Sequence, residues 1–397
     1  MRHLFVTQDF LPDRGGMARR HVELARHWPG GAMAVSTVAT PDAARFDGHE
    51  RYEIHRQPFG FAQAKLITNQ LRWARWLVAK RGSYDVLHCG NIRPVGYAVL
   101  WAARRAGAPY LVYVNGGDVL REREKARGWL KRFTARHILG GAAGVVANSA
   151  WTARVTREVM HAVGIAAPPP IAEIDLGTDP SHFRPDRDRG ALRARFALGD
   201  APVILTVARL VPHKGQDAGI RALAALAPRH PTLRYLLVGE GHDEPRLRAL
   251  AASLGVADRT IFVGVLSDDE IAEAYATATV YLGASRLDRG INVEGFGISF
   301  IEAGASGTPS VAGDSGGVRS AVRDGETGIV VPPEDVGAVA AALDALLGDA
   351  PRRAGMGRAA RAAVESHYNW ARVARETRDF AERVVAERVA ADAGARR

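Results

Sequence analysis

Short apolar runs of strand length alternate along this chain with amphipathic segments of helix length, the pattern of a parallel sheet wound with helices. Strand runs are predicted near 3–7, 33–38, 52–56, 85–88, 110–114, 143–147 and 171–174, and a second series near 202–208, 234–238, 260–264, 279–283, 309–312 and 328–331. Between the two series, Asp175 to Asp186 holds Pro180 and Pro185 among turn formers and can continue neither strand nor helix. After residue 333 the strand signal stops, and three Ala- and Arg-rich helical stretches follow, broken at Tyr368-Asn369-Trp370. The expected fold class is α/β, with two Rossmann-like doubly wound domains whose strand ends, and hence ligand loops, face one another across a cleft. The domains are expected at 1–180 and 181–369.

Length and composition agree with two cores. At 397 residues the chain exceeds one ordinary domain, and 47% hydrophobic with 24% charged residues is a globular composition. A lone Cys89 forms no internal disulfide and is expected to be a small buried residue. A charge arrives at Arg2 and again at Asp9, too early for an export segment, and the longest uncharged stretch, His137 to Ala153, is broken by Gly140, Gly141, Gly144 and Asn148. A cytoplasmic location is therefore expected.

Charge changes the picture, because the net +10 is uneven: residues 1–185 carry +11 and the remainder −1. Such a field concentrates anions, whether nucleic acid, membrane surface or substrate. Zinc-finger spacing, RNP-type aromatics and basic-zipper heptads are absent from the sequence, so nucleic acid is not expected. The segment Ala64 to Arg81 sets Leu66, Trp73, Trp76 and Leu77 on one helical face, flanked by Lys65, Arg72, Arg75, Lys80 and Arg81. Two readings stay open for it: an interfacial helix making peripheral contact with the anionic inner face of a membrane, or a helix packing its Trp stripe on its own domain.

Chemistry is expected in the strand-end loops. The first loop, Asp9 to Ala18, carries Gly15-Gly16 before a helix, where backbone amides can approach anionic oxygens. In the second domain, Arg209 and Lys214 follow the first strand, and two cations at that spacing can converge on a diphosphate. Of 27 basic residues after position 185, only Lys214 is a lysine. Gly239 and the turn Val263-Gly264-Val265 are candidates to wall a nucleoside. The densest constellation is Glu294-Gly295-Phe296-Gly297-Ile298 followed by Glu302. If that whole segment were helical, the two carboxylates would lie roughly 12 Å apart along the axis, too far for an acid/base pair and suited to two ends of an extended ligand.

Taken together, Gly15-Gly16, Arg209 with Lys214, Glu294-x7-Glu302 and the loop Gly313-Asp314-Ser315-Gly316-Gly317 resemble the retaining glycosyltransferases of family four, which have the GT-B fold. The resemblance spans essentially the whole chain. It implies that Arg209 and Lys214 bind the donor diphosphate, that Glu302 meets the ribose hydroxyls and Glu294 the transferred sugar, and that the last helix (370–392) crosses back to the N-terminal, acceptor-binding domain. The donor-site residues would be Gly15, Gly16, Arg209, Lys214, Gly239, Val263, Gly264, Val265, Glu294, Gly295, Phe296, Gly297, Ile298 and Glu302. Asn115-Gly116-Gly117-Asp118 stands where relatives often carry His-Gly-x-Asp. Asn115 can donate to or accept from a sugar hydroxyl but cannot act as an imidazolium, and it joins Asp118, Glu294, Arg209 and Lys214 as a candidate catalytic residue.

The implied activity is metal-independent hexosyl transfer, with retention, from a UDP- or GDP-sugar to an acceptor hydroxyl in a cell-surface glycan, a glycolipid or a secondary metabolite. No cofactor beyond that donor is expected. A bound divalent ion is not expected either: the sequence has no HExxH, and its one Asp-x-Asp, Asp186-Arg187-Asp188, lies in the linker. The rivals are a sugar phosphorylase using the same cations on phosphate, and a two-lobed sugar-binding protein. Base, sugar and acceptor stay open, with the acceptor expected at loops around 57–70 and 117–130.

Overall fold

The structure is a computed structural model describing residues 1–12, 15–31, 33–59 and 66–394. Lys65, and residues 60–65 of the loop expected to meet the acceptor, lie outside the described residues, as do Asp13 and Arg14 of the first loop. The chain divides into two compact units, one of Met1–Leu176 with Trp370–Arg397 and one of Gly177–Asn369.

The first unit holds a seven-stranded, wholly parallel sheet of β1 (His3–Val6), β2 (Met33–Val38), β3 (Ile54–Gln57), β4 (Val86–Cys89), β5 (Tyr110–Val114), β6 (Gly144–Ala147) and β7 (Ile171–Glu173). Its order is β3-β2-β1-β4-β5-β6-β7. The second unit holds β8 (Val203–Val207), β9 (Arg234–Val238), β10 (Thr260–Gly264), β11 (Val280–Gly283), β12 (Ser310–Gly313) and β13 (Gly328–Val331), ordered β10-β9-β8-β11-β12-β13 and also parallel. Every strand run read from the pattern is a strand here. The cause is burial on both faces: parallel strands sandwiched by helices read as nearly unbroken apolar runs, and β1, β4, β5 and β6 are buried along their whole length.

Both sheets reverse direction of winding beside their first strand. In the first unit β1 pairs with β2 through Leu4 and Ala34 and with β4 through Leu4 and Leu87. In the second, β8 lies between β9 and β11. At such a switch point the connecting loops part, and the crevice beyond the strand C-termini is where ligands bind in open α/β sheets. The residues after β1, β4 and β5, and those after β8 and β11, are thereby placed for function.

Helix Trp370–Gly394 belongs to the first unit. Phe380 packs so closely on β6 that a Cβ on Gly144 would lie 2.7 Å from its ring. Arg372 donates to the Asp175 carbonyl at 2.6 Å and Arg388 to that of Gly141 at 2.8 Å.

Helix Leu66–Ala79 resolves the two readings of the Trp segment. Trp73 and Leu77 are fully buried, and the Trp73 indole donates to Ser36 Oγ at 2.9 Å. Trp76 is half-buried, its ring 5.0 Å from that of His55. The stripe therefore packs on its own domain, the second of the two readings, and Trp73 and Trp76 are not an interfacial face.

Candidate functional site

In the second unit, β8 runs into a loop whose backbone is held at Arg209 by Gln216, which donates to the Arg209 carbonyl at 3.0 Å. A single 3-10 turn, Pro212–Lys214, ends at Gly215 with φ 74°, and a Cβ there would lie 1.9 Å from the Ala284 carbonyl oxygen. Only glycine permits that contact. It brings Lys214 against the segment after β11, where Lys214 Nζ donates to Glu294 Oε2 at 2.5 Å. Arg286 N–H donates to the His213 carbonyl at 2.9 Å, and the Arg286 side chain pairs with Asp217 at 3.0 Å, pinning the same two segments. Burial and the neighbouring Lys214 lower the pKa of His213, which is therefore neutral at pH 7.

Glu294 is itself fixed from behind. Its carbonyl accepts the Gly317 N–H at 2.8 Å, and a Cβ on Gly316 would strike the same oxygen at 2.2 Å. Gly316-Gly317 thus clamps the Glu294 backbone, a role the motif alone does not disclose. Gly297, at φ 99°, opens helix Ile298–Ala305 without any side-chain cap, so the amides of its first turn are presented beside the Lys214–Glu294 pair. The helix begins only at Ile298, so the stretch from Glu294 to Gly297 is not helical, and the axial offset expected for a continuous helix does not apply. Both carboxylates nevertheless act on one side chain. Burial pushes the Tyr281 phenol far above its usual range, and the charges of Glu294 and Glu302 push it further.

Glu302 is 6% exposed and accepts the Tyr275 hydroxyl at 2.8 Å, so its partner includes a tyrosine. Arg209 is exposed, with no side-chain partner among the described residues. Phe296 requires a correction. Its ring is 1% exposed and lies edge-on to Tyr368 at 6.1 Å, so the side chain is core and does not line a ligand space. Gly239 has a reason within the fold: a Cβ there would meet the Ala208 carbonyl oxygen at 2.3 Å. The space at Gly264 is open and Val265 is 61% exposed beside half-buried Val263.

In the first unit, Asn91 Nδ2 donates to Asp9 Oδ2 at 2.9 Å, tying the loops after β1 and β4 together at the switch point. Gly15 precedes helix Gly16–Arg26, and nothing lies within 4 Å of where a Cβ on Gly16 would point. The same helix carries Arg20, 2% exposed, which donates to Asn115 Oδ1 at 2.5 Å while its guanidinium stands 5.0 Å over the Tyr113 ring. Burial brings Arg20 down to about 10, still charged at neutral pH. Asp118 Oδ1 accepts the N–H groups of Asn115 and Val119, both at 2.9 Å, and burial raises its pKa. Asn115 Nδ2 and Asp118 Oδ2 are buried with no hydrogen-bond partner. One donor and one acceptor are thus held ready in a single loop, as a hydroxyl-bearing ligand requires.

Sequence reasoning missed Arg20, His213, Tyr275 and Tyr281. Arg20 had a faint signal: it stands one turn ahead of Leu24 on helix Gly16–Arg26, and both are buried. The tyrosines had none, because strand and helix tyrosines are ordinarily core.

Comparison with known proteins matches residues 14–180 to Glycosyltransferase Family 4 and residues 188–363 to Glycosyl transferases group 1. The chain is 35% identical, over 92% of its length and 94% of the relative's, to the GDP-mannose-dependent alpha-(1-6)-phosphatidylinositol monomannoside mannosyltransferase of Mycolicibacterium smegmatis. It is 36% identical to the D-inositol 3-phosphate glycosyltransferase of Nocardia farcinica, over 89% of this chain and 76% of that one. Among solved structures, Anabaena Alr3699/HepE in complex with UDP-glucose superimposes with a TM-score of 0.77 at 20% identity, over 96% of this chain and 99% of that one. Sucrose-phosphate synthase from Thermosynechococcus elongatus gives 0.76 at 22%, over 98% and 100%. Sequence relationship along nearly the full length, and the shared fold, agree with the cations, glycines and carboxylates assembled after β8 and β11: the chain is a GT-B glycosyltransferase belonging to family four.

Proposed function

We propose that this glycosyltransferase moves a mannosyl group, with retention at the anomeric carbon and without a metal ion, from GDP-mannose to a hydroxyl of an inositol phosphate carried on a lipid. The observation that carries the reading of the donor site is the Lys214–Glu294 pair at 2.5 Å beside the uncapped start of helix Ile298–Ala305. The names of the mannosyltransferase relatives support the choice of donor and acceptor.

The chemistry asks little covalent work of the protein. The acceptor oxygen attacks the anomeric carbon on the face the diphosphate leaves, the C–O bond to the phosphate breaks, and the hydroxyl proton passes to the departing phosphate oxygen. The products are the glycoside and the nucleoside diphosphate. Arg209, Lys214 and the amides of Ile298 and Ser299 face the charge that grows on the leaving group, an electrostatic contribution of the kind that dominates such reactions. Arrival of the diphosphate draws Lys214 from Glu294, freeing that carboxylate for the sugar. Asn115 Nδ2 supplies a donor to an acceptor hydroxyl, and Arg20, by donating to Oδ1, fixes the amide so that its unpaired donor is Nδ2.

A donor panel tests the assignment. Turnover of GDP-mannose is expected to exceed that of UDP- and ADP-sugars, and to persist in excess EDTA because protein cations supply the positive potential. Loss of activity in EDTA with rescue by Mg2+ or Mn2+ overturns metal independence, and phosphate-dependent cleavage of a glycoside would point instead to a phosphorylase. Arg20→Met keeps the buried stem and removes the hydrogen bond to Asn115. Since a hydrogen bond to a charged group contributes about 1.5–3 kcal/mol, kcat is expected to fall about tenfold or more, with guanosine diphosphate affinity unchanged by calorimetry. A parallel loss of nucleotide affinity would remove Arg20 from this role.

A further inference from the structure

Helix Gly117–Lys125 starts in the Asn115–Asp118 loop and turns at Gly128 into helix Trp129–Gly140. The second helix buries Ala135, Ile138 and Leu139. Its opposite side is unusual, because Trp129 is 79%, Leu130 54% and Phe133 53% exposed. Every residue from 127 to 133 is exposed, and three large apolar side chains in one turn are more than the scattered hydrophobics of an ordinary surface.

Arg93 makes this corner a fixed platform. Its guanidinium donates to Glu122 of the first helix at 2.7 and 2.8 Å, and to Thr134 Oγ1 and the Lys131 carbonyl of the second, each at 2.9 Å. Arg93 and Glu122 are both buried, so the two helices are stapled from within and the apolar triad is held outward. Around it the charge is of one sign. Residues 121–136 carry seven Arg or Lys against two Glu, and one of those, Glu122, is the buried partner of Arg93. Lys125, Arg127 and Arg132 are exposed and have no carboxylate partner among the described residues.

We infer that this corner docks on an anionic lipid bilayer, with Trp129, Leu130 and Phe133 entering the interface and Lys125, Arg127 and Arg132 meeting the headgroups. Aromatic and aliphatic side chains ringed by unpaired cations match the apolar boundary and negative potential of such a surface. A protein partner of apolar character would leave the cations unmatched, and a nucleic acid would leave the triad in water. No helix among the described residues is long and apolar enough to cross a membrane, so the contact is peripheral. Because the platform continues directly from the loop of Asn115 and Asp118, docking brings that loop to the surface where a lipid-borne acceptor lies. The inference rests on the lipid-acceptor reading only for this last step, and it is tested without donor or acceptor so that the two fail separately.

The experiment is co-sedimentation of the full chain with vesicles of phosphatidylcholine alone and of phosphatidylcholine with phosphatidylglycerol or phosphatidylinositol. Binding is expected only to the anionic vesicles and to weaken as salt rises. Trp129→Ser with Phe133→Ser, and separately Lys125→Ser, Arg127→Ser and Arg132→Ser together, are each expected to lower partitioning about tenfold or more. Ile67→Ser with Leu71→Ser, on the exposed side of helix Leu66–Ala79, is expected to leave it unchanged. Unaltered melting temperature and guanosine diphosphate binding establish that the variants are folded. Equal binding to neutral and anionic vesicles, full binding by the Trp129/Phe133 variant, or a wild-type dimer that this variant converts to monomer would each overturn the proposal.

Discussion

Lys214→Ala is expected to lower guanosine diphosphate affinity about a hundredfold while leaving guanosine affinity unchanged. Two losses add in this variant. The phosphate contact itself, a charged hydrogen bond, contributes about 1.5–3 kcal/mol, or roughly tenfold to a hundredfold in affinity. The second loss comes from Glu294, whose side chain is 17% exposed and whose ammonium partner at 2.5 Å disappears. A stranded carboxylate then faces the incoming diphosphate, and like charges in a partly desolvated site repel. Arg209→Ala should be milder, about tenfold, because Arg209 is exposed and leaves no partner behind. The double variant Lys214→Ala with Glu294→Gln should recover part of the affinity by removing the stranded charge. Calorimetry with guanosine and guanosine diphosphate decides the matter. Equal losses for the two ligands would place Lys214 away from the phosphates, and a double variant no better than the single would dismiss the repulsion.

The architecture was legible in the sequence for a specific reason. A parallel sheet buried on both faces leaves apolar runs such as Tyr110 to Val114, bounded by Gly107 and Asn115, that no helical period imitates. What the sequence withheld is pairing across distance. Lys214 and Glu294 were each assigned a separate end of the ligand, and nothing in a spacing of eighty residues shows that they pair with one another. Arg20 is the same case, reaching Asn115 across ninety-five positions.

Side chains within motifs were misread for a second reason. In Glu294-Gly295-Phe296-Gly297 the glycines free the backbone, and the aromatic between them turns inward to Tyr368 because an apolar ring gains by leaving water. The Trp stripe of helix Leu66–Ala79 follows the same preference, whereas Trp129 does not. Amphipathic spacing says that a face exists, and only the packed structure says whether its own domain covers it.

The two glutamates should separate when their charges are removed one at a time. Glu294→Gln is expected to lower turnover about a hundredfold, the scale of losing an electrostatic contact made in the transition state. Its guanosine diphosphate affinity should be unchanged or up to about threefold tighter, because an amide no longer holds Lys214 as a carboxylate does and the diphosphate need not compete for the cation. Glu302→Gln should do the reverse for binding. Glu302 accepts the Tyr275 hydroxyl at 2.8 Å, and a glutamine keeps an oxygen for that contact, so the fold is preserved while a charged acceptor for ribose hydroxyls is lost. Guanosine diphosphate affinity should fall about tenfold, on the scale of one charge-assisted hydrogen bond. Tyr275→Phe supplies the control, because it removes the structural hydrogen bond and leaves the carboxylate charged. If Glu302 serves only to satisfy Tyr275, Tyr275→Phe will lower the melting temperature while Glu302→Gln leaves nucleotide binding intact, and the assignment to ribose fails. If Glu294→Gln loses nucleotide affinity instead, its carboxylate belongs to the nucleotide end of the donor and the two roles are exchanged.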